Sequence, residues 1–485
     1  MNAIIGRLSL LSVFALSGAE ALAGGGIFDS WQGGAGVRTS LIWSDNLNLT
    51  PEGGDGGLVY QLRPFISGSR NGSRLRARFN YGPSFLYYPS ATDQNTIRHV
   101  LSATANAELI ERYLFLDVRA QANDALVNPR ARAGFDGIAN DQAFAQTASL
   151  TITPRVEIPI KGGRVARVSI APGVGAVFTE GNSANTINNR ATRNTRVSIV
   201  SGTDFNKTRW RIQWRRDLWD AERDQGTGSL SASVTYALSS RYRITSVLGY
   251  DDSTYVARNG RSQGFRWEIR LGWTPKPASR FELGFGQAYY GNFGSFTALH
   301  RHKRWALRAS YRVSIQNAVT AIQDQVVVPL VDEFGNPILS PITGDVVEAS
   351  ITTPALVDDS YLLQNWTSSV AYDWGRNRAQ LRWYVTQRDY SQADSDTFDS
   401  QLWLTLTRRL TPRLSGSAGL RYWDHSQSGT GGYDYQQTGV DARLTYALGP
   451  RTDIWMRFAR QQRDATLQVD EFSENRVSLD FVFRL

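Results

Sequence analysis

The chain has 485 residues, no cysteine, four histidines and a formal net charge of +9 at pH 7. Without cysteine no disulfide framework is possible, so a chain this long must be held by burial or by a closed hydrogen-bond ladder. The 14 tryptophans, 20 tyrosines, 21 phenylalanines and 43 glycines stand beside only two methionines, and Lys161, Lys207, Lys276 and Lys303 are the only lysines among 53 basic residues, so arginine carries the positive charge.

Arg7 precedes the apolar run Leu8 to Leu16, and Ala21-Leu22-Ala23 stands before Gly24. That is the charged region, apolar core and small-residue cleavage site of a secretory signal peptide, too short to span a bilayer as a helix. Residues 1–23 are therefore expected to be removed on export, leaving 24–485 as the mature chain. No later segment reaches roughly 18 consecutive apolar residues, the least a membrane-spanning helix needs.

The stretch RNGSRLRARFNYGPSFLYYP, Arg70 to Pro89, separates into two sets when every second residue is read. Leu75, Ala77, Phe79, Tyr81, Phe85 and Tyr87 form one, and Arg74, Arg76, Arg78, Asn80 and Ser84 the other. Successive side chains of a strand point to opposite faces, so one face is apolar and the other basic. The alternation recurs. Trp210, Ile212, Trp214 and Leu218 oppose Arg209, Arg211, Gln213, Arg215 and Asp217. Phe265, Trp267, Ile269, Leu271 and Trp273 oppose Arg266, Glu268 and Arg270. Trp305, Leu307, Ala309, Tyr311, Val313 and Ile315 oppose Arg308, Ser310, Arg312 and Ser314, and the segment Arg476–Leu485 repeats the pattern. About twenty such strands with almost no helical stretch between them predict an all-β fold: a single-chain antiparallel transmembrane β-barrel.

Short turns recur at Asn71-Gly72, Gly162-Gly163, Asn206-Lys207, Ser239-Ser240, Gly375-Arg376-Asn377, Thr411-Pro412 and Gly449-Pro450. Longer polar stretches lie between them: Asp45–Gly57, Pro89–Thr96, Asn123–Gln142, Glu180–Asn194, Asp251–Gln263 and His425–Tyr433. Outer-membrane barrels keep short turns on the periplasmic side and longer loops outside. Reading Tyr289–Lys303 as a hairpin with a tight turn at Lys303 places the insertion 317–360 outside and brings the strand total to about 22, within a range of roughly 18 to 22. All four lysines then fall at short turns. Trp219 and Trp273, near strand ends, are expected at the membrane interfaces.

In this register Arg74, Arg76, Arg78, Arg209, Arg211, Arg215, Arg266, Arg270, Arg308 and Arg312 face the lumen. Glu108, Asp117, Asp217, Glu268, Asp441 and Asp453 share that face. Two readings follow: interleaved signs brace the wall through ion-pair ladders, or a basic lumen attracts anions.

The first strand with SDNLNL (Ser44–Leu49), the hairpin YYGNFGS (Tyr289–Ser295) and VPLVDEFGNPILSPITG (Val328–Gly344) resemble the outer-membrane β-barrel proteins associated with the PEP-CTERM/exosortase system. The resemblance spans most of the mature chain and implies a setting in exopolysaccharide export or display at the Gram-negative outer membrane. The implied partners are outer-membrane lipid and lipopolysaccharide, acidic exopolysaccharide and periplasmic export components, with no nucleic acid. The end Phe483-Arg484-Leu485 departs from the terminal aromatic of many barrels.

Nothing in the sequence points to an enzyme, a cofactor or a metal. Asp424-His425-Ser426 reads as a solvated loop at a strand end, because adjacent residues cannot form a relay whose members meet from separate segments. His300 and His302 share a strand face without a third ligand. A TonB-dependent transporter would place a folded plug ahead of the barrel, whereas barely six residues separate Gly24 from the first expected strand. Three functions stay open: a passage for exopolysaccharide, a structural or docking protein whose lumen its own loops close, and a general anion-leaning porin. Asn123–Gln142 and the insertion are the segments expected to fold inward.

Overall fold

A computed structural model describes residues 31–485 apart from 55, 127–129, 135–137, 140–142, 181–188, 220–224, 324–327, 330–347, 350–358, 392–395 and 430–431. The expected signal peptide and nearly all of Val328–Gly344 lie outside the described residues.

Twenty-two antiparallel strands form one closed sheet. Each pairs with its neighbours in sequence, and the ring closes where Gly36–Ser44 of the first strand pairs with Arg476–Arg484 of the last. Closure leaves the ring no outermost strand, which is what a sheet in lipid requires. Two strands are broken mid-course: Leu75–Tyr81 continues as Ser84–Tyr87 past Gly82-Pro83, and Thr96–Arg98 continues as Leu101–Ile110 past His99-Val100. Proline has no N–H to give a ladder, so the first break falls where the chain can least pair.

The outward face is apolar. Phe265 is 84% exposed, Leu248 68% and Leu283 63%, exposures tolerable only against lipid. Exposed Tyr113, Tyr236, Tyr242, Trp273, Trp305, Trp374 and Tyr446 stand beside the short turns, and Trp43, Tyr60, Tyr87 and Tyr250 stand beside the long loops. These are the two aromatic girdles of a membrane barrel. Trp273 therefore sits as expected. Trp219 does not: it shares parity with Arg215 and Asp217, points inward and is 4% exposed. The apolar neighbour Leu218, one residue earlier, takes the outward place.

The expected short turns all occur. Lys161 heads the turn at Gly162-Gly163, whose glycines adopt φ of 69° and 83°, and Lys207, Lys276 and Lys303 lie at or beside other short connections. The hairpin Ser279–Ala288/Gly291–Arg301 turns on Tyr289-Tyr290 alone, with Gly291 at φ 124°. The insertion begins after Asn317 and the wall resumes at Ser360, on the long-loop side.

Candidate functional site

The inner face can be followed rung by rung. Arg78 pairs with Thr104, Thr104 with Arg119, Arg119 with Thr151, and one rung away Arg76 pairs with Asn106 and Asn106 with Asp117. Across the next hairpins Asn194 stands opposite Asp217 and Arg196 opposite Arg215. Cross-strand pairs share a face, so these side chains converge on one polar bay of about 560 Å³. Gly173 leaves room for two of the bay's side chains: a Cβ there would stand 2.3 Å from Asn194 Oδ1 and 2.6 Å from Thr153 Oγ1.

The bay is electrostatically lopsided. Its carboxylates are already engaged, Asp117 by Arg155 Nε at 3.2 Å and by Asn106, and Asp217 by Arg215. Among the described residues Arg76, Arg78, Arg119 and Arg196 have no carboxylate partner. Arg196 and Arg215 are directly opposed like charges, an arrangement that costs stability in a sheet. Guanidinium stays charged at any physiological pH and forks onto carboxylate, phosphate or sulfate. Chemically the bay presents several fixed positive donors to one volume of lumen space.

Its outer roof comes from the insertion. Directly after the strand Trp305–Asn317, the helix Ala318–Gln323 enters the lumen, started by Asn317 Oδ1 accepting from Thr320 N at 2.7 Å. Val319 and Ile322 are 2% and 1% exposed and pack on Ala125, Ala145, Val177 and Trp219 of the far wall. Gln121 Nε2 donates to the Ile322 carbonyl, and Thr320 reaches the bay. Inward-turned Trp219 is thus the wall residue on which the roof rests.

The loop after Leu114–Leu126 also crosses the barrel. Arg463 Nη1 donates to the Ala131 carbonyl at 3.0 Å, Gln437 Nε2 to the Ala133 carbonyl at 3.2 Å, and Arg132 Nη1 to the Leu49 carbonyl at 3.0 Å. Tyr88 Oη donates to the Ile138 carbonyl at 2.7 Å, and Ala139 packs with Leu49 and Phe472. Of the two segments expected to fold inward, the first does so at Ala131, Ala133, Ile138 and Ala139, and the insertion does so at the helix Ala318–Gln323.

No protein-family model matches the chain, and no curated protein matches it. Solved structures do. The FrpB iron transporter from Neisseria meningitidis (F5-1 variant) matches 96% of this chain and 84% of its own at 10% identity, with a TM-score of 0.50. Its apoprotein form matches 96% of this chain and 82% of its own at 10% identity, with a TM-score of 0.52. A loop L8 deletion mutant of OmpT, an outer membrane protein of Vibrio cholerae, matches 94% of this chain at 9% identity and all of its own length, with a TM-score of 0.37. At such identities the likeness is one of fold alone.

The chain folds as an outer-membrane β-barrel.

Within this barrel nine of the ten arginines singled out in the sequence take inward positions. Arg76, Arg78 and Arg215 line the bay, and Arg211 and Arg209 follow Arg215 toward the short-turn end. Arg266 and Arg270 lie on another sector, tied to Glu268 at 3.4 and 3.5 Å. Arg308 and Arg312 share the inward face of Trp305–Asn317. Arg74 departs from the expectation: it lies in the turn before Leu75 with its side chain 3.9 Å from Glu111, while its carbonyl still accepts from Glu108 N at 2.7 Å.

Arg119 and Arg196 went unnoticed in the sequence. The signal was there: Asp117, Arg119 and Gln121 alternate with Leu116, Val118 and Ala120, and Asn194, Arg196 and Ser198 with Val197 and Ile199.

His425 also differs from expectation. It is no loop residue: it sits inside the strand Leu414–Gln427, 3% exposed, with Nδ1 2.8 Å from Asp399 Oδ1. Arg388 Nη1 and Trp423 Nε1 bind the same carboxylate at 2.6 and 3.1 Å. The strand runs three residues longer than the polar sequence suggested because Asp399 bonds the imidazole and Tyr435 stacks on it at 4.9 Å. His300 and His302 part company: His300 bonds Ser279 at 2.7 Å, and His302 falls in the turn after Arg301.

Proposed function

We propose that this barrel, exported to the outer membrane by its signal peptide, is a non-enzymatic passage for an anionic polymer, gated at its outer mouth by its own loops. The observation that carries the reading is the set of four uncompensated guanidiniums, Arg76, Arg78, Arg119 and Arg196, placed on free lumen space instead of on carboxylates. A closed wall of this many strands encloses more room than its side chains fill. The resemblance to PEP-CTERM/exosortase-associated barrels names the cargo: an acidic exopolysaccharide handed over by periplasmic export components. Carboxylated or sulfated sugars match forked donors, and a Debye length of about 8 Å at physiological salt keeps the hold weak enough for release.

Reconstituted protein in planar bilayers tests this. The expected result is conductance with anion-favouring reversal potentials, diminished by serine at Arg76, Arg78, Arg119 and Arg196 together. Absence of conductance after removal of both the 127–143 loop and the 318–359 insertion overturns it. A second reading is favoured by the tethering of Ala131, Ala133 and Ile138 across the mouth: a loop-closed barrel that docks polymer or partner proteins. That result would select it.

A further inference from the structure

Large side chains do not cover the lipid-facing wall evenly. Across the strands from Asp396 to Ala465, one outward rung is formed by Leu406, Ala418, Ala442 and Phe458, with two alanines between larger neighbours. The rung nearer the short turns is formed by Arg408, Gly416, Leu444 and Met456. The alternate residues Ser417, Arg443 and Arg457 face the lumen, so both rungs face lipid. Between the large side chains runs an apolar groove of about 560 Å³, floored by Gly416, Ala418 and Ala442. Ordinary ligand sites enclose roughly 300–1,000 Å³. No described residue covers the groove: Met456 is 58% exposed, Leu444 51%, and Leu406 and Phe458 45% each. Packing does not demand the glycine. A Cβ at Gly416 would lie 3.5 Å from Leu444 Cδ2 and 3.7 Å from Leu410 Cδ1, both ordinary contacts.

Depth and charge narrow the occupant. The groove reaches Trp374 of the short-turn aromatic girdle, so it lies in the periplasmic leaflet, which in an outer membrane is glycerophospholipid. Arg408 lines the groove at that end, exposed and without a carboxylate partner among the described residues. Asp373 and Asp453 of the neighbouring strands are held by Arg378 at 2.7 Å and by Arg484 at 2.6 Å. A charge on the lipid face is costly away from the interface, and snorkelling or pairing offsets that cost. The connections 375–376, 410–413 and 448–451 below the groove hold exposed Arg376, Arg413 and Arg451 and no acid. A basic rim under an apolar cleft matches a lipid phosphate above all, because guanidinium forks onto its oxygens.

We propose that this groove is a docking site for an anionic glycerophospholipid of the periplasmic leaflet, one acyl chain lying along Gly416, Ala418 and Ala442 and the phosphate on Arg408. The occupant follows from the joining of an uncovered apolar groove to a rim of arginines without acids. A second copy of the chain fits worse, since a two-fold contact would set the same arginines against one another at one depth. The site lies on the outside of the wall, separate from the basic bay, and stands whether or not the bay conducts.

The test uses full-length protein in phosphatidylethanolamine vesicles carrying a trace of phosphatidylglycerol with a diazirine on one acyl chain. Phosphatidylcholine bearing the same diazirine is the comparison, and adducts are mapped by peptide mass spectrometry after illumination. Phosphatidylglycerol adducts are expected to concentrate on segments 404–418 and 442–458, several-fold above those from phosphatidylcholine. Arg408→Gln is expected to lower that yield roughly tenfold, the loss of one charge-assisted hydrogen bond. Ala418→Leu with Ala442→Leu fills the groove with side chains that lipid tolerates and is expected to abolish the local adduct. Ala232→Leu, on another lipid-facing part of the wall, is expected to leave it unchanged. Heat-dependent gel mobility verifies that each variant forms the barrel. Equal yields from the two probes, or an Arg408→Gln variant as efficient as the parent, overturn phosphate recognition. Adducts indifferent to the filled groove overturn the site. A dimer that the filled groove abolishes, without lipid adducts, overturns the phospholipid in favour of a second copy.

Discussion

Replacing Ile322 by aspartate should release the roof from the bay. Ile322 is 1% exposed against Ala125, Ala145, Val177 and Trp219, and its carbonyl accepts from Gln121. Leaving such a side chain exposed forfeits about 1.5–3 kcal/mol. A carboxylate forced into the same contact loses hydration without a partner, at a further 1–3 kcal/mol by protein mutational scales. The combined shift, taken as about 4 kcal/mol, moves the docked-to-released ratio by a factor of several hundred at 1.4 kcal/mol per tenfold. Ile322→Val removes a methylene for about 1 kcal/mol and should stay docked. Bilayer conductance reads the release, and heat-dependent gel mobility confirms that both variants form the barrel. An Ile322→Asp barrel that folds fully and conducts no more than Ile322→Val would refute the helix as a gate, because nothing in the wall strands changes between them.

Topology offers a check free of function: a protease or epitope probe at about Gly344 should react on intact cells, whereas a tag at Gly162-Gly163 should stay hidden until the outer membrane is opened. On the wall, arginine at Phe79 or Ile212 should cost roughly 2–4 kcal/mol in unfolding from bilayers, and serine at Arg76 or Arg211 should leave assembly nearly unchanged. Equal damage on both faces would contradict the assigned parity.

The fold was legible because a membrane barrel writes its geometry at the shortest possible range. Alternation between Trp210, Ile212, Trp214 and Arg209, Arg211, Arg215 needs only neighbouring residues, and lipid enforces it at every rung. Short turns and long loops likewise announce themselves locally. What escaped depends on contacts between distant segments. Trp219 turns inward because the helix Ala318–Gln323 comes to rest on it from a hundred residues later, and His425 stays in its strand because Asp399 and Tyr435 hold it from the two neighbouring strands. Phe296 and Tyr311 look like an ordinary rung in sequence, and nothing local says that pairing stops there. Glycines at 284, 286, 291 and 294 were the one local hint.

Of the two readings of the lumen arginines, brace or receptor, the ion pairs show the bracing one on part of the wall. Near the closure seam Arg38 pairs with Asp480 at 2.7 Å and Arg476 with Glu474 at 2.6 Å, while Asp480 and Glu474 are each 1% exposed. Farther round, Arg388 pairs with Asp399 and Arg243 with Glu282. Buried pairs of this kind fix geometry more than they add stability, since desolvation offsets much of their attraction. Removing either partner strands a charge, so these arginines are committed to the wall. Arg76, Arg78, Arg119 and Arg196 carry no such commitment among the described residues. Their mutual repulsion is a standing cost that a wall built only for strength would have avoided, for instance with the serines that face inward on Gln225–Ala237. The same property that makes them poor braces is what an anion entering the bay would relieve, and that is the physical content of the proposed anion preference.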